Sequence, residues 1–161
     1  MAGSETHYTL PRPTLEKPLK LLLVVAPYYK DIADNLIAGA TSEITAAGGI
    51  CEVAEVPGAL EIPAAISFAA ASDKGFDGFV ALGCVIRGET SHYETVCNES
   101  ARGIMDLTIH DHLAIGNGII TVENGEQAWA RANKSDKDKG GDAARAAIAM
   151  AEIKVALTAD E

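Results

Sequence analysis

A chain of 161 residues, 48% hydrophobic and 22% charged, is sized for one domain that buries about two-thirds of its unfolded surface, and its composition is that of an ordinary globular protein rather than a disordered one. A formal net charge of −10 argues against nucleic acid as a partner, because phosphate backbones are held by basic patches and none is visible. The longest apolar stretch, Leu19 to Pro27, is too short to span a membrane, which takes about 20 residues, and Met1 to Pro18 is polar and proline-bearing, unlike a secretory signal, so the expected location is the cytoplasm.

The first 18 residues carry Pro11, Pro13 and Pro18 and are expected to form an extended arm, placed along another subunit, ahead of one domain over residues 19–161. Leu19 to Ala26, interrupted only by Lys20, is an apolar run, the pattern of a parallel strand buried on both faces. Ile32, Leu36, Ala40 and Ile44 then recur at helical spacing until Gly48-Gly49 stops them. The unit repeats as a strand over Ile50 to Val56 with a helix over Leu60 to Ala71, and a strand over Gly78 to Val85 with a helix over His92 to Ile109. A fourth strand is expected over Ala114 to Val122, a short helix over Gln127 to Arg131, and a final helix marked by Ala143, Ala147, Met150, Ala151, Lys154 and Leu157.

Strand alternating with helix implies right-handed crossovers and an α/β three-layer sandwich. The expectation is a four-stranded, mainly parallel, flavodoxin-like sheet with helices on both faces. Ligands bind such sheets at the carboxyl ends of the strands, where the turns after Ala26, Val56, Ile86 and Val122 all lie.

Cys51, Cys84 and Cys97 are odd in number, sit in apolar segments and lack the paired spacing of a zinc or redox motif, so they read as reduced core thiols. Cys84 lies near His92 in sequence, but burial is the commoner fate of such a residue. His110-Asp111-His112 places two histidines on different sides of a helix with no third ligand nearby, which fits a helix end better than a metal site. No metal is expected.

The segment Gly83 to Glu99 carries the chemistry. A buried strand ends near Ile86, Gly88 permits a turn, and Ser91 with Glu94 makes a capping box that starts the next helix. His92 then falls in the first helical turn. Helix N-termini attract anions, and their positive end disfavours imidazolium, so an anion site and a proton acceptor would be adjacent. Taken alone, His92 reads more readily as a helix-start residue without chemistry, and its neighbours are what change that. Local cations must hold any anion on so acidic a chain, and Arg87, Arg131 and Lys139 are the candidates.

Four segments together closely resemble the lumazine synthases: Val56 to Pro63, Gly83 to Glu99, Gly118 to Ala128 with Arg131, and Lys139 to Ala144. They occur in the family order and span about Lys20 to Leu157. The resemblance implies condensation of 5-amino-6-(D-ribitylamino)uracil with 3,4-dihydroxy-2-butanone 4-phosphate to 6,7-dimethyl-8-ribityllumazine, phosphate and water, the penultimate step of riboflavin biosynthesis, with no cofactor.

It also implies roles for individual residues. His92 moves protons and Arg131 holds the departing phosphate, with the turn Gly88-Glu89-Thr90 supplying N–H groups and a hydroxyl. Tyr28 stacks on the uracil ring, Gly58, Ala59, Leu60 and Glu61 form the turn that receives the ribityl chain, and Val85 and Ile86 meet the ring through their backbone. Asn117 and Lys139 complete the substrate contacts, and Asp142 serves either as a helix cap or near His92. Pro27, Tyr29 and Asn117 depart from the family's usual arginine, asparagine and phenylalanine, and the polar Asn117 implies a wetter site. The family further implies a ring-shaped homo-oligomer, a pentamer or a larger shell. Each active site would take Tyr28, Ala59, Glu61 and His92 from one chain and Asn117, Arg131 and Lys139 from its neighbour. A flavin or lumazine binder without turnover, and a purely structural shell, are the competing readings.

Overall fold

The computed structural model describes residues 6–159. Its elements run β1 (Lys20–Val25), α1 (Lys30–Ala46), β2 (Ile50–Glu55), a 3-10 turn (Ala59–Glu61), α2 (Ile62–Ala70), β3 (Gly78–Ile86), α3 (His92–His110), β4 (Ile115–Val122), α4 (Gly125–Ala132) and α5 (Lys139–Thr158). Every pairing in the four-stranded sheet is parallel, in the order β2-β1-β3-β4. All the strands therefore end at one edge, as in the flavodoxin-like fold.

Alternation along the strands assigns side chains to the two faces. Leu21, Leu23 and Val25 of β1, with Val80, Leu82 and Ile120, pack against Ile32, Leu36, Ala40 and Ile44 of α1, Ala128 of α4 and Ala147 and Ile148 of α5. Leu22, Val24, Phe79, Ala81 and Ile119 face the other way, onto Ile62 and Ile66 of α2 and Val96 and Ile104 of α3. Three layers result. The central strands β1 and β3 are buried on both faces over most of their length, which explains their unbroken apolar runs.

The α1–α5 contact is so close that a Cβ on Gly140 would fall 2.2 Å from the Leu36 carbonyl oxygen. Only glycine permits that approach. Gly48, at φ +91°, ends α1 as the sequence predicts.

Element ends differ from expectation by a few residues, and two local readings are corrected. Leu60 and Glu61 belong to the 3-10 turn, and Pro63 sits in the opening turn of α2, where its missing N–H costs nothing. The final helix starts at Lys139, four residues ahead of the first periodic alanine at 143, because Asp138 caps it: at φ 46° its carboxylate accepts from Gly141 N–H at 3.2 Å. Asp142 is thus not the cap. It pairs with Arg145 instead and lines a groove between α5 and the N-terminal arm.

The described part of that arm, residues 6–18, has no helix or strand and lies on its own chain. Arg12 bridges to Glu43 at 2.9 Å, and Leu15 packs on the core. Arg12 and Arg145 hold the Glu43 carboxyl below its usual range against the opposing effect of burial.

Candidate active site

At the carboxyl edge of the sheet, the chain leaving β1, the turn before α2, the end of β3 and the start of α3 enclose a cleft of about 290 Å³. Its walls are Tyr28, Tyr29, Gly58, Ala59, Cys84, Val85, Ile86, His92 and Val96. Six residues expected from sequence, Tyr28, Gly58, Ala59, Val85, Ile86 and His92, thus meet in one place although they span 65 positions, from 28 to 92. Parallel strands bring them together, because successive strand ends become neighbours however long the crossover between them.

Backbone and apolar surface make the floor. Ala59 and Val96 are buried, and Val85 and Ile86 end β3 opposite Thr121 and Val122 of β4. The Tyr28 ring is 77% exposed and stands edge-on to Tyr29, with centroids 5.0 Å apart and planes at 81°. A ring that exposed has a free face for a flat ligand. Tyr29 is half-buried, packs against the core below, and has its hydroxyl pKa raised chiefly by that burial. It buttresses Tyr28. The Glu61 carboxylate folds back over Gly58, where a Cβ would lie 3.2 Å from its Oε2, and Leu60 is exposed beside it. A carboxylate at the rim can accept hydrogen bonds from hydroxyl groups.

The turn into α3 departs from the expected capping box. Ser91 occupies the N-cap but makes no side-chain cap bond, and the Glu94 carboxylate bonds Arg87. His92 N–H donates instead to Thr90 Oγ1 at 3.3 Å, and Glu89, Thr90 and the His92 side chain are exposed at the mouth. Arg87 is correspondingly removed from the candidate cations: it is bonded to Glu94 and Glu123 and stacks on the Tyr93 ring at 4.2 Å.

Seven expected residues lie outside the walls of the cleft: Leu60, Glu61, Glu89 and Thr90 in the adjoining turns, and Asn117, Arg131 and Lys139 on β4, α4 and α5. Asn117 is exposed on edge strand β4, with its side-chain oxygen accepting from Ile119 N–H at 3.0 Å. Arg131, in the last turn of α4, donates to the Gln127 carbonyl at 3.1 Å, and Lys139 opens α5 with its ammonium 3.4 Å from Asp142. A second cleft, of about 320 Å³, adjoins the first across Tyr29 and Ile86 and is walled by Trp129 of α4.

Sequence reasoning did not place Val96 in the wall, and it noted Tyr29 only as a departure from the family's usual asparagine and Cys84 only as a core thiol near His92. For Val96 the signal was present, since it lies four residues from His92 and so on the same helix face. The Cys84 thiol is pushed up to about 11 by burial, so at neutral pH it is protonated and not a nucleophile. Cys51, Cys84 and Cys97 are all unpaired, and the described residues contain no cluster of three or more metal-ligating side chains. His110 ends α3 and His112 follows at φ 56°, the helix end expected.

Comparison with known proteins identifies the family. Residues 18–155 match the family model described as 6,7-dimethyl-8-ribityllumazine synthase. A protein of Rhizobium meliloti named 6,7-dimethyl-8-ribityllumazine synthase 1 is 55% identical over 149 residues, covering 90% of this chain and 97% of that protein. Proteins named 6,7-dimethyl-8-ribityllumazine synthase from Agrobacterium fabrum and Bartonella henselae are each 57% identical, the first over 89% of this chain and 99% of its own, the second over 86% and 90%. With a family match over most of the chain and identity above half across nearly whole relatives, this chain belongs to the lumazine synthase family.

Proposed function

We propose that the cleft at the carboxyl edge of the sheet condenses 5-amino-6-(D-ribitylamino)uracil with 3,4-dihydroxy-2-butanone 4-phosphate, giving 6,7-dimethyl-8-ribityllumazine, phosphate and water. The observation that carries this reading is the convergence of Tyr28, Gly58, Ala59, Val85, Ile86 and His92 on a single cleft in a member of the family. Tyr28 offers a ring face to the uracil, the Val85–Ile86 backbone its edge contacts, and the turn with Ala59, Leu60 and Glu61 the acceptors for ribityl hydroxyls.

The chemistry needs proton movement more than covalent catalysis. The amine attacks the ketone, water leaves as an imine forms, phosphate departs by elimination, and the second nitrogen closes the ring on the remaining carbonyl with loss of a second water. His92 at the mouth takes and returns protons, a contribution of about 10²- to 10⁴-fold for a well-placed group. Phosphate departure is assisted by the turn Gly88-Glu89-Thr90 and by Arg131, whose planar fork suits a phosphate.

Arg131, Lys139 and Asn117 act, on this reading, on the cleft of an adjacent chain in a ring-shaped homo-oligomer, most simply a pentamer. Support comes from large apolar side chains left exposed: Ile50 and Val53 on edge strand β2, Phe68 on α2, Met105 and Ile109 on α3, and Met150, Ile153, Val155 and Leu157 on α5. Such unlike patches suit a head-to-tail contact that closes by rotation. Residues 19–161 work as one domain behind an arm over residues 1–18, of which 1–5, like 160 and 161 at the other end, lie outside the described residues. The unpaired cysteines fit a reducing, cytoplasmic setting.

Incubation of the purified protein with both substrates tests the reading: lumazine absorbance should rise with one phosphate released per turnover. Binding of the aminouracil without product would leave only a ligand-binding role, and neither binding nor turnover would leave only a structural one.

A further inference from the structure

One ionic cluster beside the cleft has no part in the chemistry above. Arg87 leaves the end of β3, immediately before the turn Gly88–Thr90, and its backbone N–H donates to the Val122 carbonyl at 2.9 Å. Its guanidinium reaches two carboxylates from different elements, bonding Glu94 in the first turn of α3 and Glu123, after β4, at 2.8 Å. It also lies over the Tyr93 ring at 4.2 Å. Glu123 is itself fixed, because its N–H donates to Gln127 Oε1 at 2.8 Å. One planar cation thus joins β3, α3 and the β4–α4 turn, a fork that a lysine's point charge would not reproduce.

We propose that Arg87 is a positioning residue for the phosphate end of the substrate: by holding Glu94 and Glu123 in one ion-paired cluster, it keeps two carboxylates off the Gly88–Thr90 turn where an anion must approach. The inference rests on the assignment of that turn to phosphate. Glu94 stands three residues after Ser91, the position from which a capping carboxylate normally swings back over the helix start. In this chain its carboxylate bonds Arg87 and lies against its own N–H instead of reaching back to the Ser91 N–H, and Ser91 makes no side-chain cap bond either. Without Arg87, Glu94 would be free to return to that place, and the cluster would change from one net negative charge to two beside an incoming phosphate. Arg87 touches no substrate in this arrangement. Its effect reaches the reaction through Glu94, Glu123 and the turn.

The test is steady-state kinetics with each substrate varied in turn, at low and at physiological salt. Arg87→Ala should raise KM for the butanone phosphate roughly three- to tenfold, more at low salt than at high, while KM for the aminouracil stays within about twofold. Adding Glu94→Gln to that variant should recover at least half of the loss, because the freed carboxylate is what harms binding. Arg87→Lys, which keeps the charge and loses the fork, should give a smaller rise of about two- to threefold in the same KM, and it decides the matter if the alanine variant does not fold. Equal rises in both KM values, or no rise in either, or no recovery on adding Glu94→Gln, would overturn the inference. Wild-type protein that releases no phosphate would instead overturn the function on which it rests, a distinct outcome read before any variant is made.

Discussion

The His92 cleft and the cationic residues assigned to the same reaction are built in opposite ways. The cleft is made by strand ends and turns whose positions follow from the buried sheet, and its floor of Ala59, Val85 and Val96 is held by core packing. Arg131 and Lys139 instead sit at helix termini, on α4 and α5, with one backbone carbonyl and one carboxylate at 3.4 Å as their partners within the chain. An exposed ion pair such as Lys139–Asp142 contributes little, about 0–1 kcal/mol, so it is easily exchanged for a contact to something else. A pocket is fixed by its own fold, whereas a cation that must reach across an interface is better left loosely held.

That contrast is most sharply tested by separating its two halves. Arg131→Ala should lower kcat/KM by roughly 10²-fold, the scale of a charge-assisted bond to phosphate in a partly desolvated site, with little change in aminouracil binding. His92→Ala should leave both ligands bound and slow turnover by about tenfold, less than the full range for general acid–base catalysis, because a reactive amine condenses with a ketone even unaided. Wild-type steady-state rates across pH for the His92 variant would remove its role. If the halves belong to different chains, co-refolding the two variants should recover activity above the average of the parents, since some interfaces then join an intact His92 to an intact Arg131. Mixed rings verified by light scattering, yet no more active than that average, would break the comparison, and a monomer would break it sooner.

Tyr28→Ala acts on the cleft alone. It should weaken aminouracil binding about fivefold and butanone phosphate binding hardly at all, because only the first presents a ring to stack, as parallel titrations can show. Equal losses would mean that Tyr29 had lost its packing partner and the cleft wall had moved.

The sheet was legible in the sequence because β1 and β3 are buried on both faces and their apolar runs admit few other readings. The glycines and caps at their ends then located the turns of the site. What stayed hidden was settled by competition between side chains. Ser91 and Glu94 have the spacing of a capping box, yet Arg87, seven residues before Glu94, wins the carboxylate by a contact that only the fold creates. Asp138 rather than Asp142 caps α5 because it stands immediately before the helix and accepts from the Gly141 N–H, whereas Asp142 lies within its first turn. Tyr29 and Cys84 face the cleft through the geometry of a strand end, where alternation breaks down. The resemblance to the family implied both a set of site residues and their division between two chains, and of the set assigned to one chain Tyr28, Ala59 and His92 line a single cleft.

Cys84 gives the smallest effect and the cleanest check that the cleft works by binding and proton transfer. It lines the same cleft as His92, which on sequence spacing alone could be a thiol–imidazole pair. Burial raises the thiol to about 11, so at pH 7.5 only on the order of one thiol in a few thousand is ionised. The thiolate fraction grows tenfold for each pH unit below that value, and alkylation of Cys84 by iodoacetamide, followed by mass spectrometry of its peptide, should climb in the same way between pH 8 and pH 10. Cys84→Ala should keep turnover within about twofold at neutral pH, at a stability cost of about 1 kcal/mol for the lost packing against the α1 and α5 side of the core. Rapid alkylation at pH 7, or a tenfold loss of rate in that variant, would show that a thiolate takes part and that the cleft is not the acid–base site its walls describe.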